Sequence, residues 1–440
     1  MKSKRAKVLH ELCGKPMISY VVEALKPVCD SIIAVVGHQA DAVQDALRNE
    51  VHYAYQREQL GTAHALLQTK CLLQGFKGNV LVACGDTPFV TQGLFRELLG
   101  YHVSSGAAVT VATFHASDPT GYGRIIRDAS GELKSIVEER DATDQEKGIT
   151  EVNSGIYCFD CDSLFSALER TDRRNAQGEF YLTQAVEIMI RDGLPARCFV
   201  VNDPGIVEGI NDRRQLAAAQ KRMRLEILRK LMLSGVTVED PETTYVDARA
   251  TAGQDTVIRA GTRIEGASVI GEECDVGPDT CIIDSKLGNR CKVWYSVIEE
   301  CILEDDVQVG PYSHLRPNSH LENSVYVGNF AEIKNTRVGE FTKVHHHCYL
   351  GDSIIGKKVN IGAGTVTVNY DGKRKHTTVI RDGAFVGCNA NLIAPVTIGE
   401  GAYVAAGSTI NKEVPEEALG IARSRQENKP GWAKKFLGRG

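Results

Sequence analysis

The stretch VIRAGTRIEGASVIGEECDVGPDTCII (257–283) decides the fold of the second half of the chain, because its aliphatic residues recur at every sixth position. The members of this run are Ile258, Ile264, Ile270, Val276 and Ile282. A second run with the same strict interval comprises Val386, Leu392, Ile398, Val404 and Ile410. A six-residue repeat is typical of a parallel β-helix, in which each aliphatic side chain points into a narrow prism.

The same period continues between the two runs, with slips of one residue. The positions that keep it are Val327 and Ile333, then Val338, Val344 and Leu350, then Ile355 and Ile361. The segment NYDGKRKHTTVIRDG (369–383) interrupts the period and is polar and basic. We therefore predict a loop that projects from the prism, and loops on a rigid scaffold often carry function.

The first half alternates apolar strand patterns with amphipathic helix patterns. SIIAVVG (31–37) and NVLVACGD (79–86) are predicted strands, and HQADAVQDALRNE, which follows the first of them, has apolar residues at helical spacing. This alternation predicts an α/β domain with a Rossmann-like, doubly wound, mostly parallel sheet. Ligands of such sheets lie beyond the carboxyl ends of the strands, and Asp86 lies at such an end.

The chain divides into three predicted parts. Residues 1–212 form the α/β domain, 213–235 a linker helix closed by Gly235, and 236–440 the β-helix with a basic C-terminal tail. The net charge of −5 gives no sign of nucleic-acid or membrane binding, and no apolar run has the roughly 20 residues of a membrane span. Scattered cysteines, 13 in all, and the lack of a signal-peptide core favour a cytoplasmic protein with reduced thiols.

Two short motifs in the first half have both a functional and a structural interpretation. EQLGTAHAL (58–66) places Gly61 and Thr62 at the start of a predicted helix, where backbone N–H groups suit an anion or a base edge. An ordinary helix cap is the alternative. Asp86 in CGDTPF (84–89) could hold Mg²⁺ beside a nucleotide phosphate, or could be a turn residue.

Four further motifs give these two a context: DPTGYGRI (118–125), IVEERDAT (136–143), EVNSGIY (151–157) and VEGIND (207–212). Their order and spacing resemble the sugar nucleotidyltransferase domain of the bacterial bifunctional family that is both N-acetylglucosamine-1-phosphate uridyltransferase and glucosamine-1-phosphate acetyltransferase. The resemblance implies that Asp86 and Asn211 hold Mg²⁺ and that UTP is a substrate. The residues it implies for UDP-N-acetylglucosamine are Lys7 at the phosphates, Gln56, Gly61 and Thr62 at the uracil, Gly123, Glu138 and Asn153 at the sugar, and Asn211.

The family pattern also has a first strand that ends in LAAGxGTRM, directly before the segment that matches Lys4–Lys7. The sequence begins at the Met of that motif, so the strand and the glycine-rich phosphate loop are missing from it. We expect Met1 to be an internal methionine of a longer natural chain. If it is not, we expect uridyltransferase activity to be impaired and acetyl transfer to remain.

The second half contains three consecutive histidines in KVHHHCYLGD (343–352). On a strand, His345 and His347 would share one face and His346 would take the other. The residues alone leave three roles open for these histidines: a metal site, a structural role and a catalytic role. A histidine with a pKa of ~6.5 can act as a general base near neutral pH.

The motifs HLRPNS (314–319), NFAEIKN (329–335), NIGAGT (360–365), VNYDGKRKH (368–376), VGCNAN (386–391) and AAGST (405–409) resemble the left-handed β-helix acetyltransferase half of the same family. The resemblance implies that His346 is the general base. It also implies a sugar-phosphate site of Arg316, Lys334, Tyr349, Asn360 and Lys375. The implied acetyl-CoA residues are Ala363, Asn369, Tyr370, Cys388, Ala406 and Arg423, where Asn369 and Tyr370 would also form the oxyanion wall.

Position 388 departs from the family pattern, which has Ser or another small polar residue there. If the hydroxyl contacts acetyl-CoA, a thiol should weaken binding, because it is a poorer hydrogen-bonding group.

The resemblance thus implies acetyl transfer to glucosamine-1-phosphate, then uridylyl transfer to N-acetylglucosamine-1-phosphate. The alternatives are an acetyltransferase with a crippled first half, and a non-enzymatic sugar-nucleotide sensor or scaffold. The resemblance also implies a homotrimer, with no nucleic-acid or membrane partner.

Overall fold

A computed structural model describes residues 1–438, and the last two residues of the predicted tail, 439 and 440, lie outside the described part. The chain forms two compact units, Met1–Lys221 and Arg222–Gly440. The boundary falls within the helix Arg213–Leu233, which has 21 residues and ends two residues before Gly235. This helix covers most of the range 213–235 predicted to be a linker helix.

The first unit contains short helices around a mixed sheet. Its α-helices are Met17–Leu25, Ala40–Leu47, Thr62–Leu67, Gln92–Ser105, Asp144–Lys147, Cys161–Leu168 and Leu182–Arg191, and its 3₁₀ turns are Lys7–Leu9, Arg48–Glu50 and Pro204–Ile206. A six-stranded sheet follows the order Ala196–Val200, Val109–His115, Glu151–Asp160, Arg124–Arg127, Leu133–Val137, and Asn79–Val82 also pairs with Glu151–Asp160. Two smaller pairs are Glu11–Leu12 with Lys15–Pro16 and Ile33–Val36 with His52–Tyr55.

The prediction of a mostly parallel sheet is wrong for the long central strand. Glu151–Asp160 runs antiparallel to Asn79–Val82, Val109–His115 and Arg124–Arg127. A parallel neighbour needs a crossover of a dozen or more residues, usually a helix. Between Val109–His115 and Glu151–Asp160 the chain makes only a hairpin and one four-residue helix, so it returns in the opposite direction.

The second unit is a stack of parallel strands in three sheets, as the six-residue period predicts. The first sheet comprises Thr237–Val238, Val257–Ile258, Asp275–Val276, Lys292–Val293, Gln308–Val309, Tyr326–Val327, Lys343–Val344, Asn360–Ile361, Phe385–Val386, Tyr403–Val404 and Leu419–Gly420. The second comprises Tyr245–Val246, Arg263–Glu265, Cys281–Ile283, Val297–Glu299, His314–Leu315, Glu332–Lys334, Tyr349–Gly351, Val366–Val368, Asn391–Ile393 and Thr409–Ile410. The third comprises Thr251–Ala252, Val269–Ile270, Lys286–Leu287, Ile302–Leu303, His320–Leu321, Arg337–Val338, Ser353–Ile355, Thr378–Ile380 and Val396–Ile398.

The repeat residues form the core of this unit. Every member of the two strict runs is at most 5% exposed, and Ile258 lies directly below Val276 in the stack. The predicted loop begins at Asn369 but ends earlier than expected, because Thr378–Ile380 rejoins the third sheet. A short helix, Trp432–Phe436, lies in the C-terminal tail. The architecture is that of a left-handed β-helix built from hexapeptide repeats.

Candidate active sites

The predicted metal ligands of the first unit lie together. The backbone N–H of Ile210 donates to the carbonyl of Asp86 (3.0 Å), which brings Asn211 to the loop that carries Asp86. The Lys7 ammonium forms an ion pair with the Asp86 carboxylate and donates to Asn211 Oδ1 at 2.9 Å. Gly209 lies beside this group, and a Cβ there would be in ordinary van der Waals contact with Asp86 Oδ2 at 3.5 Å.

The residues predicted for the sugar form a second group in the same unit. A Cβ on Gly123 would lie 3.6 Å from both Glu138 Oε2 and Asn153 Cβ, so these three residues face one small space. Thr183 donates to Glu138 Oε1 at 3.0 Å, and burial raises the pKa of Glu138. Asn153 Nδ2 donates to the Tyr157 hydroxyl at 2.6 Å. Thr183 lies in none of the motifs, whereas Tyr157 is the last residue of EVNSGIY (151–157), in which only Asn153 has an implied role.

The residues predicted for the uracil hold a tight turn. Gln56 Nε2 donates to the Gly61 carbonyl at 3.0 Å, and the helix Thr62–Leu67 begins directly after Gly61. Thr62 Oγ1 accepts from the backbone N–H of Leu182 at 3.0 Å. Gly61 has φ +115°, and its position against Phe180 leaves no room for a Cβ. Gly61 is the N-cap of this helix and packing requires glycine there, so the structural alternative accounts for this glycine without a ligand.

In the second unit, His346 lies on a corner between the first and second sheets. The prediction that His345 and His347 share a strand face is wrong, because residues 345–347 turn the corner and His347 has a φ of +56°. His346 and His347 are exposed, whereas His345 is half-buried with Nε2 3.2 Å from Asn360 Oδ1. Among the described residues no cluster of three or more His, Cys, Asp or Glu side chains could hold a metal ion.

Three residues predicted for acetyl-CoA follow His346 along the same corner, one on each successive coil. The strand register Val344, Ile361, Val386, Val404 stacks His346, Ala363, Cys388 and Ala406 above one another. Carbonyls of this column accept from the next coil: Ala363 from the Asn389 N–H (2.6 Å) and Cys388 from the Gly407 N–H (2.8 Å). Arg423 Nη1 donates to the Ala406 carbonyl at 2.8 Å, so Arg423 joins the column.

The predicted sugar-phosphate residues form a cationic cluster along the second sheet. Lys375 lies against Lys334, and its ammonium lowers the pKa of Lys334. Arg316, one coil from Lys334, forms an ion pair with Glu332 at 2.7 Å, which raises the pKa of Arg316. Tyr349 lies on the same sheet, whereas Asn360 lies on the first sheet beside His345.

The predicted loop is an ordered hairpin. Asn369 is buried, donates to Asp352 and lies 3.4 Å from the Tyr349 hydroxyl, while Tyr370 pairs with Lys375. The backbone N–H of Arg374 and the His376 imidazole lower the pKa of Asp371 to about 2. Sequence reasoning missed Asp352 and Asp371. Asp352 ends KVHHHCYLGD (343–352) and Asp371 lies in VNYDGKRKH (368–376), but the resemblance implies a role for neither; Asp371 with the following Gly is a common turn signal.

These two units correspond to two transferase classes. The model of the family described as "Nucleotidyl transferase" matches residues 2–205. The model described as "Bacterial transferase hexapeptide (six repeats)" matches residues 377–412. The chain therefore joins a nucleotidyltransferase domain to a hexapeptide-repeat transferase domain.

Similar proteins carry both domains over the same length. The bifunctional protein GlmU of Geobacillus sp. (strain WCH70) is 49% identical over 437 residues, which is 99% of this chain and 95% of that protein. GlmU of Caldanaerobacter subterraneus is 49% identical over 441 residues (100% and 96%), and GlmU of Listeria monocytogenes serotype 4a is 48% identical over 435 residues (99% and 95%). The chain belongs to the family of bifunctional GlmU proteins. Across the described residues, no helix is both long and apolar enough to span a membrane.

Proposed function

We propose that this chain is a bifunctional enzyme of UDP-N-acetylglucosamine synthesis. The second unit transfers acetyl from acetyl-CoA to glucosamine-1-phosphate, and the first transfers uridylyl from UTP to N-acetylglucosamine-1-phosphate and releases pyrophosphate. The observation that carries the proposal is that each unit gathers its own implied site: Asp86, Lys7 and Asn211 in one, and the His346 column beside a cationic cluster in the other.

In acetyl transfer, His346 acts as general base. Its exposed imidazole accepts a proton from the sugar ammonium, and the free amine attacks the thioester carbonyl of acetyl-CoA. The C–S bond of the tetrahedral intermediate then breaks, and the CoA thiolate leaves with the second proton of the amine as the free thiol. Arg316, Lys334 and Lys375 supply the positive charge that a phosphate requires, so they position the sugar. The small residues above His346 leave the corner open for the pantetheine arm, with Arg423 at the far end.

In uridylyl transfer, the first unit brings two anions together. The carboxylate of Asp86 and the amide oxygen of Asn211 are the oxygen ligands that Mg²⁺ prefers, and a cation already lies between them in the form of the Lys7 ammonium. Mg²⁺ bound there would neutralise the phosphates and the charge that develops on pyrophosphate. Glu138 and Asn153 hold the sugar, and Gln56, Gly61 and Thr62 hold the uracil.

Assays of the two half-reactions test the proposal. His346→Ala should lower acetyl transfer by about 10²–10⁴-fold and leave pyrophosphate release from UTP unchanged. Asp86→Asn should lower pyrophosphate release from UTP and leave acetyl transfer unchanged. His320→Ala is the matched control, because His320 pairs with Glu304 on the third sheet at 2.9 Å and should affect neither reaction. If His346→Ala abolished both reactions, separate sites would be excluded.

We also propose that the β-helix associates as a homotrimer. The corner that carries His346 presents a column of exposed rings, Tyr295, Tyr312, Phe330 and His347, whose centroids lie 5.5–5.6 Å apart. Tyr312 is 56% exposed and Phe330 is 52% exposed, which is unusual for apolar rings on a monomer surface. Tyr312→Ser with Phe330→Ser should shift the mass measured by light scattering towards the monomer. An unchanged mass would exclude this corner as the interface.

The proposed location is the cytoplasm, where UTP and acetyl-CoA are available. All 13 cysteines are free thiols in the structure.

A further inference from the structure

Lys7 occupies the place between the two proposed metal ligands. Its ammonium contacts Asp86 Oδ2 and lies 2.9 Å from Asn211 Oδ1, so oxygen atoms from two distant segments of the chain contact one cation. The side chain of Asp86 is only 15% exposed, so this carboxylate has little water to stabilise its charge. A cation at this position therefore stabilises the carboxylate, whether it is an ammonium or a metal ion.

The backbone that carries Lys7 is fixed independently of this ion pair. Gln39 accepts from the backbone N–H of Ala6 at 2.6 Å and donates to the Lys4 carbonyl at 2.5 Å. The following turn, Lys7–Leu9, is anchored by the buried side chain of Leu9. The Lys7 side chain itself is 37% exposed, so its flexible stem can move while its Cα stays in place.

We infer that Lys7 is a built-in competitor for the divalent cation, and that metal entry releases its ammonium towards the nucleotide phosphates. The inference rests on the proposed metal site at Asp86 and Asn211. Two positive charges cannot share these ligands, because they repel each other at contact distance. Metal binding therefore costs the loss of the Lys7 ion pair, and in return makes a phosphate-binding cation available.

Chemical labelling of lysines tests the release directly, with Mg²⁺ alone as the probe. Mass spectrometry after brief acetylation should show that saturating Mg²⁺ increases modification of Lys7 by roughly threefold to tenfold, since an ion-paired amine is protected. Lys26, which pairs with Glu50 at 2.7 Å, is the internal control and should not change. In Asp86→Asn, Lys7 should be reactive from the start and insensitive to Mg²⁺.

Mn²⁺ binding, measured by the electron paramagnetic resonance signal of the free ion, provides the second readout. Lys7→Gln should bind Mn²⁺ roughly threefold to tenfold more tightly than the wild type, and Lys26→Gln should not. If Mn²⁺ binding depends on Asp86 but Mg²⁺ does not change the labelling of Lys7, the inferred competition between Lys7 and the metal ion is wrong, and the proposed metal site remains supported. If Asp86→Asn binds Mn²⁺ as well as the wild type does, the proposed metal site is wrong and the inference fails with it.

Discussion

Replacing Gly61 by alanine should destabilise the first unit strongly, because the new Cβ has no room. The added atom would lie 2.5 Å from the carbonyl oxygen of Phe180 and 2.8 Å from its backbone nitrogen. Both atoms already form hydrogen bonds, from Phe180 N–H to the Leu60 carbonyl (2.7 Å) and from Ala63 N–H to the Phe180 carbonyl (2.9 Å). Moving Phe180 away therefore breaks the contacts that hold the turn before the helix Thr62–Leu67.

The magnitude follows from two costs. Alanine at φ +115° and ψ 176° adds backbone strain of about 1–3 kcal/mol. Each weakened hydrogen bond adds about 1 kcal/mol. We therefore expect Gly61→Ala to lower the unfolding free energy of the first unit by about 3–5 kcal/mol, which corresponds to a thermal midpoint lower by roughly 6–20 °C. The KM for UTP should rise as well, if Gly61 binds the uracil.

Two spectroscopic signals separate the units in this assay. Both tryptophans, Trp294 and Trp432, lie in the second unit, so their fluorescence reports that unit alone. Most of the helices lie in the first unit, so circular dichroism at the helical band follows its unfolding. Gly61→Ala should shift the dichroism transition and leave the tryptophan transition in place.

Gly75→Ala is the matched control for the backbone strain. Gly75 also has a positive φ (+78°), but no atom lies within 4 Å of its would-be Cβ. We expect this variant to lose only about 1–2 kcal/mol from the left-handed conformation. If the two variants lost the same unfolding free energy, the clash with Phe180 would contribute nothing to the loss, and the steric explanation for Gly61→Ala would be refuted.

Three further changes test other parts of the two sites. Asp371→Asn should loosen the hairpin that carries Lys375 and raise the KM for glucosamine-1-phosphate roughly threefold to tenfold, with pyrophosphate release unchanged. In the wild type, hydrogen-exchange protection of the hairpin should persist above a pH of about 4 and be lost as the pH falls towards the Asp371 pKa of about 2. Cys388→Ser should change the KM for acetyl-CoA less than about twofold, because Cys388 joins the corner through its carbonyl; a clear fall would show that the hydroxyl matters. Glu138→Gln should weaken sugar-nucleotide binding but stabilise the first unit at pH 7.5 and not at pH 4. Burial raises the pKa of Glu138, so its ionised form is costly in the folded state. Equal stabilisation at both pH values would contradict this explanation.

The sequence predicted the second unit better than the first, and the reason is physical. In the β-helix each coil repeats the last, so the spacing of residues such as Ile258 and Val276 determines their neighbours. In the first unit, the partners of Glu151–Asp160 depend on how the chain returns after a hairpin, which periodicity does not record. The prediction that the three histidines alternate between the faces of a strand was wrong for a related reason: these residues form a corner between two strands and are not part of a strand.

Site residues were predictable where a motif carried them, and their supports were not. Gln39 fixes the segment before Lys7 through backbone contacts made 33 and 35 residues away in the sequence. Asp352 and Tyr157 hold Asn369 and Asn153 through single side-chain hydrogen bonds. The contacts of Gln39 and Asp352 depend on three-dimensional proximity and leave no local pattern, whereas Tyr157 lies only four residues from Asn153 on the same strand.

In the column of His346, Ala363, Cys388 and Ala406, the distance from the proposed base to the far end is a whole number of strand spacings. Neighbouring strands lie about 4.8 Å apart, so the proposed base and the far end of the column differ by three steps, or about 14 Å. Insertion or deletion of a whole coil would change this span by one step without altering the prism that supports it. A fold of this kind can therefore be adapted to acyl donors or acceptors of different length in whole-number increments, which a domain with an irregular core does not allow.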